Sequence, residues 1–338
     1  MKTYLSILFL LASTAASFAQ GNNNFELNGH INGLSAGKVY LQRFDNKAFI
    51  TIDSAEIKGG DYQFKTKLKL PELYGLTIDK NSNPVYVFLE DRKITVNSDT
   101  SSFNKSTQVT GSASNDLFYS YKKQKDVNIK DFITSNPSSI ASAYILYRDY
   151  SYLLNSQELL ADVKLLAPSL QNSSYVIALK ELAETKSRVE PGHKALDFES
   201  TDPDGKKVKL SDHYGKYLLV SFWAAWCPDC RRENPELVKT YQKYHDKGFD
   251  VLGVSLDKDK STWLKGIKND NLTWKHVSDL AYWNSSAAKL YGIRWIPSNF
   301  LISPDGTILA QNLQGDTLDK KLEELLKGST TAKSDEKE

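Results

Sequence analysis

"FWAAWCPDCRRENPE", residues 222–236, holds both cysteines of a 338-residue chain, Cys227 and Cys230. It completes the apolar run "YLLVSFWAAW", whose near-continuous hydrophobicity marks a strand buried on both faces. Beyond the cysteines a helical pattern continues to about His245. The pair therefore lies where a buried strand gives way to a helix. A helix N-terminus carries partial positive charge and free N–H groups, which hold a thiol below its free pKa of ~8.5. Pro228 suits the first helical position, where no N–H partner is lost. Cys227 is thus expected at the N-cap with its thiol exposed, and Cys230 one turn in, on the same face and shielded. That spacing lets one sulfur attack a disulfide and the other resolve the mixed intermediate.

Other readings of the pair are weaker. A disulfide between residues three apart closes too small a loop to stabilise much. Zinc would need histidines, and His30, His193, His213, His245 and His276 show no paired ligand spacing. The expectation is a redox pair with no metal and no cofactor other than the Cys227–Cys230 dithiol or disulfide.

Around this stretch, residues 191–328 alternate hairpin, strand, helix, strand, helix, short strand, helix, hairpin, helix. The first hairpin turns at Asp204-Gly205 and the last at Asp305-Gly306. The closing helix is expected to end at Gly328, before a polar, disordered tail at 329–338. With this order, "LLVSFWAAWCPDC" resembles the active-site strand and turn of the thioredoxin superfamily. Within it, "FWAAWCPDC" followed by "RRENP" is similar to the exported TlpA/ResA-like thiol–disulfide oxidoreductases.

The resemblance implies an α/β domain with a central mixed sheet flanked by helices. It places Pro235 as a helix-kinking proline and Pro297, in "YGIRWIPSNFLI", as a cis-proline against the thiols. The backbone of Ile296 would then pair with an extended substrate, beside Trp226 and Pro228. Two departures stand out. The dipeptide between the cysteines is Pro228-Asp229, so a reduction potential does not carry over. Ser221 occupies the place of a buried aspartate found in cytoplasmic thioredoxins, so the proton acceptor for Cys230 must lie elsewhere. Glu233, three residues on and on the same helix face, is the candidate. Arg231, Arg232 and Arg294 read as solvated, and Asp229 as exposed in the turn.

The implied activity is reduction of protein disulfides, with Cys227 as nucleophile, Cys230 resolving, and re-reduction by a membrane-linked electron donor. An oxidase or isomerase would use the same cysteines, because direction depends on a balance in which ~30 mV equals ~1.4 kcal/mol. The rival from another class is a redox-gated partner-binding protein.

Residues 1–19 read as a cleaved signal peptide: Lys2, the short apolar core "YLSILFLLA", and small residues up to Ala19. That implies a periplasmic or otherwise exported protein with no lasting membrane insertion. Residues 20–111 alternate as short strands broken by Gly, Asn and Asp, the pattern of an antiparallel sandwich or barrel. "GHINGL" and "GKVYL" there resemble a β domain that precedes thioredoxin modules in exported Bacteroidetes proteins. Residues 112–190 are helical with a closing linker, and "SQELLADVKLL" opens with a capping-type serine. Lys and Arg number 43 against 41 Asp and Glu, so no basic field argues for nucleic acid.

Overall fold

The computed structural model describes residues 24–80 and 82–332. The expected signal peptide at 1–19 and the last six residues of the expected tail lie outside the described residues.

Alternating side chains build the first region. Strands β1 (Glu26–Asn32), β2 (Ala36–Asp45), β3 (Ala48–Lys58), β4 (Asp61–Phe64), β5 (Glu72–Thr77), β6 (Val85–Leu89), β7 (Lys93–Asp99) and β8 (Gln108–Thr110) form one eight-stranded sheet in the order β6-β5-β2-β3-β4-β1-β7-β8. A short helix, α1 (Phe103–Ser106), precedes β8. Leu27, Leu41, Leu76, Val87, Ile94 and Val96 point to a common apolar core. The sheet is not wholly antiparallel as expected: β1 and β7 pair in parallel. Local hairpins fix antiparallel neighbours, but β1 meets β7 only after five intervening strands, and turn residues carry no signal for that pairing.

Helices α2 (Ala113–Tyr121), α3 (Ile129–Ser135), α4 (Ile140–Ile145), α5 (Ser156–Leu165) and α6 (Ser174–Ser187) follow. Asn155 rather than Ser156 caps α5, because its side chain accepts from Glu158 N–H while Glu158 reciprocates on Asn155 N–H. The helices cover the outer face of β5 and β6. Leu73 and Phe88 pack there with Phe118, Tyr144 and Leu179, while Leu76 and Val87 of the same strands face the sheet core. Tyr144 meets Phe44, Phe88, Phe118 and Tyr175 edge-on, with ring centroids 5.4–5.8 Å apart.

The last region begins with the hairpin of β9 (Glu199–Thr201) and β10 (Lys207–Lys209), turned by Gly205 at φ 83°. Then come β11 (Tyr217–Trp223), α7 (Pro228–Tyr244), β12 (Phe249–Ser255), α8 (Lys260–Asn269), β13 (Lys275–Val277), α9 (Ser286–Leu290), β14 (Ser298–Ile302), β15 (Ile308–Gln311) and α10 (Gly315–Ala332). The five-stranded sheet runs β13-β12-β11-β14-β15. β11 is central, parallel to β12 and antiparallel to β14. This is the mixed, helix-flanked sheet that the sequence resemblance implied. Helix α10 passes through Gly328 to Ala332, beyond its expected end. A glycine costs a helix only about 1 kcal/mol relative to alanine, which does not by itself stop it.

Central placement brings the C-terminal end of β11 against α8. Gly266 makes the approach possible: a Cβ there would lie 2.6 Å from Ala225 Cβ and 3.3 Å from the Trp223 ring. Gly266→Ala gains helix propensity but overpacks the turn that leads to Cys227. A net loss of about 1–3 kcal/mol is expected, read as a lower thermal midpoint; a raised midpoint would contradict this packing.

Candidate active site

Strand β11 ends at Trp223, and after three intervening residues Cys227 turns the chain into α7. Cys227 is the N-cap, with extended backbone at φ −88° and ψ 109°. Its Sγ accepts the N–H of Cys230 at 3.1 Å, and its carbonyl accepts the N–H of Arg231 at 3.1 Å. Pro228 occupies N1 and is exposed, and Pro235 lies inside the helix. Cys227 and Cys230 are joined as a disulfide, with their Cα atoms 5.3 Å apart.

The expected exposure of Cys227 is not found. Cys227 is 4% exposed and Cys230 1%. The covering comes from a distant segment. The Ile296–Pro297 peptide bond is cis, and the Ile296 carbonyl oxygen sits 3.6 Å from Cys227 Sγ. Trp226, 39% exposed, donates its Nε1–H to the Leu256 carbonyl at 3.2 Å. Its ring joins Tyr282 at 5.1 Å and Trp283 at 6.0 Å, forming an aromatic surface next to the first cysteine.

Alongside α7, a cavity of about 280 Å³ brings together Ser221, Trp223, Glu233, Pro297, Asn299 and Leu318. Glu233 is half-buried on its rim. Burial pushes its carboxyl above the ordinary value, the Asp229 charge adds to this, and Arg232 opposes it. Arg232 pairs with Asp229 across one helical turn, so the turn aspartate has its charge answered locally.

Two of the three arginines expected in solvent are held instead. Arg231 pairs with the largely buried Asp270 just beyond α8, which also accepts from Asn234 Nδ2 at 2.7 Å. Arg294 lies over the Tyr147 ring, 4.3 Å from its centroid, and donates to Asn46 Oδ1 at 2.9 Å. In both cases an acceptor far along the chain turns the guanidinium inward.

Asp257, which the sequence reading passed over, holds the active-site turn. It is 1% exposed, and its Oδ2 accepts from Ala225 N–H at 3.0 Å and Ser255 Oγ at 2.8 Å. Burial raises its pKa and these two bonds pull it back. The available signal was an acid at the carboxyl end of a buried strand, "VSLD", where open α/β sheets place their sites.

A family model described as the AhpC/TSA family matches residues 191–311. The thiol–disulfide oxidoreductase ResA of Bacillus thuringiensis subsp. konkukian is 32% identical over 145 residues, covering 43% of this chain and 82% of that protein. The chain belongs to the ResA-like thiol–disulfide oxidoreductases of the thioredoxin superfamily. The ResA of Bacillus subtilis is 27% identical over 124 residues, covering 37% of this chain and 68% of its own. Among solved structures, a thiol–disulfide oxidoreductase from Bacteroides fragilis is 39% identical, covering 39% of this chain and 98% of that one, with a TM-score of 0.37. Residues 25–118 match a domain of unknown function, DUF4369, which supplies the sheet ahead of the oxidoreductase unit.

The Glu233 environment generates a pH prediction. A raised carboxyl pKa means that the carboxylate, the form a proton acceptor requires, appears only as pH rises through the displaced value. Glu233→Gln should remove that limb from the pH profile of disulfide turnover and lower the rate on its plateau on the order of 10²-fold. The carboxylate is disfavoured by folding, so stability at neutral pH should not fall. An unchanged profile in stopped-flow thiol kinetics would rule out the proton-acceptor role.

Proposed function

We propose that this oxidoreductase works as an exported reductase of protein disulfides. The observation that carries the reading is the position of Cys227 Sγ, between the Cys230 N–H and the Ile296 carbonyl. In the reduced protein the helix dipole favours the Cys227 thiolate by about 0.3–1 kcal/mol. A hydrogen bond to a charged acceptor is worth about 1.5–3 kcal/mol, so the Cys230 N–H is the larger influence.

The thiolate of Cys227 attacks one sulfur of a substrate disulfide. That S–S bond breaks, a mixed disulfide forms, and the departing substrate thiolate takes a proton. Cys230, giving its proton to Glu233, then attacks Cys227 Sγ; the mixed disulfide breaks and the second substrate sulfur leaves as a thiolate that takes up a proton. Two electrons pass from the dithiol to the substrate, and the Cys227–Cys230 disulfide remains. The dithiol is itself the electron carrier, so the cycle calls for no further cofactor. A reduced dithiol partner, membrane-linked in this reading, restores it.

The Ile296 carbonyl lying against Cys227 Sγ supports binding of an extended polypeptide across the sulfurs, with Trp226 and Pro228 at its edge. The leader-like residues 1–19 support export, and no helix among the described residues is long and apolar enough to cross a membrane.

Cys227→Ser should abolish reduction of a protein disulfide such as insulin. Cys230→Ser should instead accumulate substrates as mixed disulfides, recoverable from cells on non-reducing gels. A Cys230→Ser protein that traps nothing, together with a wild type inactive on protein disulfides, would refute the reading.

A further inference from the structure

The turn between β2 and β3 is two residues long, Asn46 and Lys47, both at positive φ (39° and 69°), the mark of a tight hairpin. Its tip does not project into solvent. Asn46 Nδ2 donates to the Trp283 carbonyl at 3.2 Å and to Asn284 Oδ1 at 3.1 Å. Asn46 Oδ1 accepts from Arg294 Nη1 at 2.9 Å. Lys47 Nζ donates to the Arg294 carbonyl and lies 3.5 Å from the centroid of the Trp283 ring.

These contacts reach both loops that flank the first cysteine. Arg294 and Trp295 lead directly to Ile296, whose carbonyl touches Cys227 Sγ. Trp283 packs on Trp226, the residue before Cys227. The helical region grips the same segment, with Tyr152 stacked on Trp295 at 5.0 Å and 18° between planes. Trp295 keeps 37% of its surface exposed.

We propose that the Asn46–Lys47 tip is a positioning element of the dithiol site, clamping segments 282–284 and 294–297 so that an extended polypeptide disulfide is presented to Cys227. This rests on the functional reading above and assigns a role to the domain of unknown function.

The chemistry of Lys47 is consistent with such a role. Burial, then Arg294 and Arg148, push its amine down to about 6. The Trp283 face favours the charged form, but burial beside two guanidinium groups opposes it more strongly, so at neutral pH the amine acts chiefly as an N–H donor. Its folded value lies below its unfolded one, so folding at neutral pH releases a proton, and stability from this group rises as pH climbs from about 6 towards 10.5. A side chain this costly to bury breaks a local rule of folding, as residues at functional sites do.

The test compares the full chain with Lys47→Met and Asn46→Gly, the second keeping the positive φ while removing the side chain. Steady-state reduction of a synthetic peptide bearing an intramolecular disulfide is measured with dithiothreitol as electron donor. Amide hydrogen exchange is followed over residues 292–299. Both variants should raise the peptide KM about tenfold, equivalent to about 1.4 kcal/mol, with kcat held within about twofold. Exchange over 292–299 should quicken by a similar factor. Lys47→Met removes the buried amine, so its unfolding midpoint should not fall, which separates the effect from loss of fold. Unchanged KM overturns the proposal, whether or not exchange quickens. A wild type that reduces no peptide or protein disulfide overturns the functional reading instead, while unchanged exchange in the variants overturns the clamp on its own.

Discussion

The site depends on one hydrogen bond at a junction: the Cys230 N–H pointing at Cys227 Sγ, where β11 stops and α7 starts. Everything nearby keeps that junction in place. The central strand delivers the turn at its carboxyl end. Asp257 holds Ala225 from the end of β12, Gly266 lets α8 pack beneath it, and Arg231 ties the first turn of α7 to Asp270 beyond α8. A helix start left unsupported would still offer an N–H, but not at a fixed place relative to the Ile296 carbonyl. The order of causes is therefore strand burial first, cap geometry second, sulfur chemistry third.

The other two regions are organised towards this junction as well. The sheet of residues 26–110 sends one hairpin tip to the loops beside Cys227, and the turn ahead of α5 sends Tyr152 to Trp295. These named contacts are polar or aromatic, unlike the apolar packing inside each core. Interfaces between domains of one chain are commonly more polar than those between permanent partners. This one suits an arrangement in which accessory structure adjusts a shared chemical centre.

What could be read from the chain follows from how far each partner lies along it. Cys227, Pro228 and Cys230 were legible because strand, turn and helix are contiguous, and the cap geometry needs only neighbours. The position of Glu233 was legible by helical spacing, although the cavity it shares with Pro297 and Asn299 was not. The short strands expected across the first region are present because their alternation is local. Burial of Cys227 was not legible, since the covering carbonyl lies 69 residues away. Nor were Asn46 and Lys47, whose partners are 237 to 248 residues distant. No periodicity encodes such pairings. Asp257 is intermediate: its position at a strand end was visible, but its partner at Ala225 was not.

Strands β5 and β6 bury both faces, one against the sheet core and one against the helices. Stripping away the helices would leave Leu73 and Phe88 in water, and stripping away the sheet would leave Tyr144 and Leu179 there. The two regions therefore gain and lose their order together, as one cooperative unit. During synthesis the sheet must wait for α6 before its outer face is covered. Phe44 and Phe49, which flank the Asn46–Lys47 tip, pack on this same shared core.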